Sequence, residues 1–469
     1  MENGGETILF YIDHTIGAYL RRNIIFPFYW KYIRRSNVLK YYQELRIHQW
    51  NTLEENKKIQ QKKLYKLIEY ANTNIPYYKR LIKDHHIQFS EDTIFEDIKK
   101  IPLLTKDVIR NNFDDLYKFR DNSYYQNTSG GSTGEPVVFY QDKNYFGWAI
   151  ANKYLFDEWA GRQIGDPMVK IWGNLRDTLS SGQNFKGYLR QKITGITMLN
   201  SNKMTEKVMY EYVERINNIS PCLILTYTSS IDELARFIQE NDLSVYSPPA
   251  VMTTAGVLYP EVYERIKKVF ATKVFNRYGS REVSDIACNC EKSDGLHLNT
   301  DIHYLEIVDD EGREVEVGKL GNIIITLLTN YTMPLIRYKI GDRGILSAEN
   351  SQCGHGFPLL KKVSGRIKSV FVNKYGDSID DDPFIALFRL KENIKQFQII
   401  QEAMDYIIIN LVLVDKARLK DVNKEFKEEN QAIRKIMGEG IKIKYNIVDE
   451  IEPSPSGKFM YTFSRVQNR

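Results

Sequence analysis

Apolar residues recur at helical spacing early in the chain and give way to short β-branched runs further on. Leu64, Leu67, Ile68 and Ala71 hold a three-to-four-residue step up to the turn formers Asn74, Ile75 and Pro76, and residues 1–125 read as helical. From 126 to 366 compact apolar runs alternate with amphipathic stretches. Cys222 to Leu225 precedes a helix over 230–240, Ala250 to Thr254 precedes a helix over 260–270, and Lys273 to Phe275 follows. That alternation predicts an α/β core built on a parallel sheet. The run from Gly321 to Leu328 predicts a strand buried on both faces. From 367 to 469 the chain is more charged. Strands over 369–373, 405–413 and 441–447 with helices over 382–391 and 416–437 predict a small α+β domain.

Composition narrows the class. Sixty-five basic residues against 60 acidic ones leave a net charge of +5 in 469 residues, too slight to point to nucleic acid. Basic residues gather near the start, at Arg21, Arg22, Lys31, Arg34, Arg35 and Lys40, among Phe26, Phe28, Tyr29 and Trp30. Such a segment either packs on the body of the protein or lies peripherally on an anionic membrane. Asp13, His14, Arg21, Arg22 and Asn23 interrupt the early apolar stretch, so no span is expected. The acidic start lacks a secretory n-region, and four cysteines make no disulfide framework. A cytoplasmic location is expected.

The strongest local signal is Thr128, Ser129, Gly130, Gly131, Ser132, Thr133, Gly134, Glu135 and Pro136. Glycines admit an anion close to the backbone, and hydroxyls donate to phosphate oxygens. A plain turn has a similar composition. No lysine follows as in a Walker A loop, so positive charge must come from elsewhere. Four further groups arrive in order: Asn276 to Glu282 with Tyr278, Gly279 and Ser280; Tyr338 to Gly344 with Asp342; Gly365 to Lys368 with Arg366; and Pro453 to Lys458.

With these motifs the chain resembles the adenylate-forming superfamily of acyl-CoA synthetases and peptide-synthetase adenylation domains. Within it the likeness is to the phenylacetate–CoA ligase group and its CapK-like capsular-polysaccharide branch. Asn74 to Tyr78, Ile101 to Lys106, and Thr332 to Tyr338 running into Asp342 carry the branch likeness. The resemblance implies an α/β fold: a large multi-subdomain N-terminal adenylate-forming domain plus a small mobile α+β C-terminal domain. It implies an AMP-forming ligase that uses ATP and Mg²⁺ to turn a carboxylic acid into an acyl-adenylate. The acceptor implied is CoA, or alternatively an amino group on a sugar or glycan precursor. A catalytically silent binding protein of the same fold is the third reading, and intact Glu282, Asp342 and Lys458 weigh against it.

The implied roles follow the motifs. The loop 128–134 holds the β- and γ-phosphates. Tyr278, with Gly279 and Ser280, meets adenine, and Glu282 helps hold Mg²⁺. Asp342 accepts from the ribose hydroxyls, with Arg366 nearby. Lys458 bridges the attacking carboxylate and the α-phosphate, and Lys368 occupies the hinge. Relatives often carry structural zinc in the region of Cys288, Cys290, His297 and Cys353; here Ser351 stands in place of one cysteine. Either Cys288 or His355 would be the fourth ligand, and buried free cysteines are the alternative. Trp148, Trp172, Tyr227 and Ala255 either line the acid pocket or pack the core. Val257 stands where relatives often have Glu, so the acid itself is not implied.

Overall fold

The computed structural model describes residues 16–466 apart from 120–122, 130–136, 174–190, 203, 293–294, 350, 367–370, 380, 390, 392, 416–420 and 453–459. Its contacts divide the chain into two compact units, Met1–Ser364 and Gly365–Arg469.

In the first unit a hairpin of β1 (Tyr124–Thr128) and β2 (Val138–Asp142) precedes an 11-stranded mixed sheet. One half of that sheet is parallel. It runs β7 (Lys273–Ser280), β6 (Ala250–Thr254), β5 (Leu223–Tyr227), β3 (Met168–Trp172) and β4 (Ile196–Asn200). Helices Thr228–Glu240 and Pro260–Phe270 cross between β5, β6 and β7, as the apolar runs predict. Strands β5 and β6 are buried at every position, which is why they read as uncharged, mainly apolar runs with no polar alternation.

The other half departs from the parallel expectation. It holds β8 (Ser284–Cys288), β9 (Leu296–Leu298), β10 (His303–Val308), β11 (Gly321–Leu327), β12 (Tyr338–Leu346) and β13 (Leu359–Arg366). The pairs β7–β8, β8–β9, β9–β13, β10–β11 and β11–β12 are antiparallel. The reason is connection length: Arg281 to Val283 joins β7 to β8, too short for the helical crossover a parallel pair needs.

One apolar core joins Leu45, Leu64, Leu67 and Ile68 of the N-terminal helices to Ile286, Ile307, Ile325 and Tyr338 of this antiparallel half. A second surrounds the parallel half through Ile224, Ile231, Val251 and Ile266. The helical reading of the N-terminal region ends at β1, and no described helix is long and apolar enough to cross a membrane.

The second unit carries an antiparallel pair of β14 (Phe371–Val372) and β15 (Ser378–Ile379), then a four-stranded sheet ordered β18 (Lys442–Ile447), β17 (Tyr406–Leu413), β16 (Ile394–Ala403) and β19 (Thr462–Ser464). Helices Asp382–Arg389 and Lys427–Met437 bury Phe384, Phe388 and Ile433. Central strand β16 is absent from the sequence reading. The helix expected over 416–437 is two pieces where described, Val422–Glu425 and Lys427–Met437.

Candidate functional site

Register positions the hydroxyl- and glycine-rich loop. Strands β1 and β2 pair through to Thr128 opposite Val138. Beyond that pair Ser129 N donates to Val137 O at 2.9 Å, and Ser129 Oγ accepts from Val137 N at 2.9 Å. The two ends of the loop are thus pinned together. Gly130, Gly131, Ser132, Thr133 and Gly134 lie outside the described residues.

Strand β2 also ties this hairpin to the later motifs. Gln141, buried, donates from Nε2 to Arg281 O and Glu282 O, each at 3.1 Å. Asp142 caps the Lys143–Trp159 helix, accepting from Tyr145 N at 2.8 Å, while its other oxygen accepts from Tyr331 N and Thr332 N. Asn330 Nδ2 donates to Tyr140 O and Met333 O. Neither Gln141 nor Asn330 stands out in the sequence. Asp142 carries the one available signal, an Asp just before an amphipathic stretch.

The expected nucleotide residues meet around these bonds. Tyr278 Oη donates to Asp342 Oδ2 at 2.8 Å. Tyr338, fully buried, lies with its hydroxyl 3.3 Å from Glu282 Oε1. At Gly279 a Cβ would lie 2.5 Å from Ser284 O, so only glycine lets β7 approach β8 this closely. Ser280 Oγ is buried with no hydrogen-bond partner among the described residues. Arg366 ends β13 and its side chain lies outside the description, as do Lys368 and Lys458 entirely.

The three stretches that carry the branch likeness form one brace. Tyr78 Oη donates to Pro334 O at 2.9 Å and accepts from Ile336 N at 3.2 Å. Leu104 bridges to Tyr338, donating to Arg337 O and accepting from Lys339 N. Arg337 donates to Lys99 O and Ile101 O and pairs with buried Glu306 at 2.9 Å. This brace fixes Tyr338, and through it the Glu282 carboxylate.

A second cluster lies in the same unit. Ligand atoms of Cys290, His297, Cys353 and His355 all fall within 4.8 Å of one another. Two thiols and two imidazoles suit tetrahedral zinc. Burial holds His297 and His355 down to about 4, with the neighbouring His355 adding to the effect at His297. Both imidazoles are therefore neutral, the ligating form, near pH 7. Trp159 stacks on His355 at 4.7 Å, and Trp50 lies 4.7 Å from it on another side. Gly356 admits the Asn51 carbonyl where a Cβ would collide.

The grouping contains His355 and leaves out Cys288, the alternative fourth ligand. Cys288 ends strand β8 inside an apolar cluster with Phe156, Met168 and Leu225, and burial pushes its thiol up, against the thiolate a metal requires. Of the pocket candidates, Trp172 and Tyr227 meet with ring centroids 4.4 Å apart. Trp148 instead stacks on Tyr41 at 4.3 Å with the Lys63 ammonium over it at 4.2 Å. Ala255 has positive φ, and Val257 is 37% exposed.

Residues 371–465 match the family model of the CapK C-terminal domain. Protein CapK of Staphylococcus aureus is 25% identical over 441 residues, covering 93% of this chain and 95% of that protein. A phenylacetate-coenzyme A ligase of Thermus thermophilus is 25% identical, covering 74% of this chain and 78% of the relative. A 2-hydroxyisobutyryl-CoA ligase in its postadenylation state superposes with a TM-score of 0.69 over 89% of this chain and 91% of that one, at 19% identity, a likeness of fold. The chain is therefore similar to the adenylate-forming ligases, phenylacetate–CoA ligase-like and CapK-like, with a CapK-type C-terminal domain over residues 371–465.

Proposed function

We propose that this protein uses ATP to activate a carboxylic acid as its acyl-adenylate and then transfers the acyl group, with CoA as the leading acceptor. The observation that carries the reading is the convergence of the pinned loop, Tyr278, Glu282 and Asp342 through Gln141 and Tyr338. The likeness to phenylacetate–CoA ligases supports it.

In this reading a substrate carboxylate oxygen attacks the α-phosphorus, the bond to the β-phosphate oxygen breaks, and pyrophosphate leaves. Thr128, Ser129 and residues 130–134 hold the β- and γ-phosphates. Tyr278 offers its ring to adenine, Gly279 lets β8 pack close beside it, and Ser280 Oγ offers a hydrogen bond. Asp342 holds the ribose, with Arg366 assigned beside it by its motif. Bound Mg²⁺ would offset phosphate charge, and Glu282 is the carboxylate assigned to it. Lys458, assigned from its motif, meets the charge growing on the α-phosphoryl oxygens, and Lys368 is assigned as the hinge.

Cys290, His297, Cys353 and His355 are read as a structural zinc site. The alternative reading is transfer to an amino group of a sugar or glycan precursor, which rests on the motif likeness to the CapK-like capsular-polysaccharide branch. The test is ATP–pyrophosphate exchange across a panel of carboxylic acids, followed by addition of CoA or amino sugars to an acid that supports exchange. Exchange with no acid would favour a silent binding protein. Release of AMP only with amino sugars would select the amide reading.

A further inference from the structure

Residues 16–33 are helical throughout, with π-type turns at Arg21–Ile25 and Tyr29–Ile33 around a short α-helical turn. A step of four residues overshoots an α turn and undershoots a π turn. Alternating the two therefore keeps stripes of every fourth residue nearly straight, and the segment carries two of them.

The inner stripe is Ala18, Arg22, Phe26 and Trp30. Ala18, Phe26 and Trp30 are buried. Trp30 Nε1 donates to Tyr154 Oη at 3.3 Å, and Arg22 pairs with Asp166 at 2.6 Å. Arg21 bonds to Gly165 O, and Gly165 has no room for a Cβ beneath the helix. The basic pair singled out in the sequence thus faces the body of its own unit.

The outer stripe is Ile16, Leu20, Ile24, Phe28 and Tyr32, flanked by Tyr19 and Ile33, all exposed. Ile24, Phe28 and Tyr32 are 57%, 56% and 58% exposed. Phe28 and Tyr32 touch each other, ring centroids 5.3 Å apart. No acidic residue occurs from Ile16 to Gln43, and the charged side chains exposed at the C-terminal end of the stripe are Lys31, Arg34 and Arg35.

We infer that this outer face is a membrane-surface anchor: a helix lying in the plane of an anionic lipid surface, apolar stripe down. The charge pattern selects this occupant. Aromatic and aliphatic side chains suit the headgroup boundary, and three cations with no acidic neighbour in sequence complement lipid phosphates. The inference is independent of the adenylation reading, because none of these residues belongs to the proposed site.

The test floats the full chain with vesicles of phosphatidylcholine, with and without phosphatidylglycerol. The protein should float with the anionic vesicles and largely remain behind with neutral ones. Ile24→Ser/Phe28→Ser/Tyr32→Ser should lower the bound fraction about tenfold, and Lys31→Glu/Arg35→Glu should remove the preference for anionic lipid. Melting temperature and pyrophosphate exchange should be unchanged in both. If the triple variant melts early, the single exposed change Phe28→Ser is read instead, with the same direction. A wild type that binds no vesicle, or an apolar-stripe variant that binds as well as wild type, overturns the inference. So does a wild-type dimer in light scattering that the triple variant dissociates, since a second copy would then cover this face.

Discussion

The hydroxyl of Tyr278 and the carboxylate of Asp342 share a 2.8 Å hydrogen bond although their strands, β7 and β12, are separated in the sheet by β8, β9 and β13. An aromatic ring and a carboxylate 64 residues apart in sequence are therefore held as one unit. In the proposed reaction one meets adenine and the other the ribose.

Tyr278→Phe keeps the ring and removes the bond that orients Asp342. A hydrogen bond to a charged group contributes about 1.5–3 kcal/mol, so the KM for ATP in exchange should rise on the order of tenfold. The maximal rate should fall less, since the change touches binding. An unchanged KM for ATP would show that the pair does not bind nucleotide.

Purified protein should retain about one zinc per chain through gel filtration, because a structural site normally fills. Cys353→Ala should lose it, and Cys288→Ala should keep it, since Cys288 lies in the apolar core. Metal analysis below about half an equivalent in the wild type would count against the site.

His303 is fully buried, with Nε2 2.8 Å from Val283 O. Burial lowers it from 6.5 to about 4. Between those values the unfolded chain takes up a proton that the folded chain refuses. The contribution of the neutral ring is therefore complete above pH 6.5 and is lost as pH falls toward 4. At about 1.4 kcal/mol per pKa unit this amounts to roughly 3 kcal/mol. Urea melts between pH 7 and 4.5 should show a shallower pH slope for His303→Gln than for wild type. Equal slopes would contradict the assignment.

The sequence is legible where burial is symmetric. Strands β5, β6 and β11 are buried along their whole length and appear as uncharged, mainly apolar runs. Strand β16 does not stand out in the sequence because one face is Ile394, Phe397, Ile399 and Gln401 while Lys395, Gln396 and Gln398 break the run. Gln401, though polar, is buried and bonds to both Val372 N and Val372 O. The helix expected over 416–437 is interrupted at Phe426, whose backbone leaves the helical region.

At the site the motif residues could be found from their order, but their supports could not. Gln141 acts on backbone carbonyls 140 and 141 residues away, and Asn330 on one 190 residues away. A contact to a distant backbone carbonyl leaves no mark on composition or spacing. Of the two alternatives for the fourth position, Cys288 lies near Cys290 in sequence but ends its strand in the core, whereas the fold brings His355 into the cluster.

In the proposed reaction a motif lysine drives adenylation together with the Tyr278–Asp342 pair that would hold the nucleotide. The most direct test of this is ATP–pyrophosphate exchange by wild type and Lys458→Ala, with an acid that supports exchange and with ATP binding measured in parallel. Loss of one cation at the reacting phosphate should cost at least about 3 kcal/mol, a fall in exchange of a hundredfold or more, with ATP affinity nearly unchanged. Exchange retained at the wild-type rate in Lys458→Ala would contradict it.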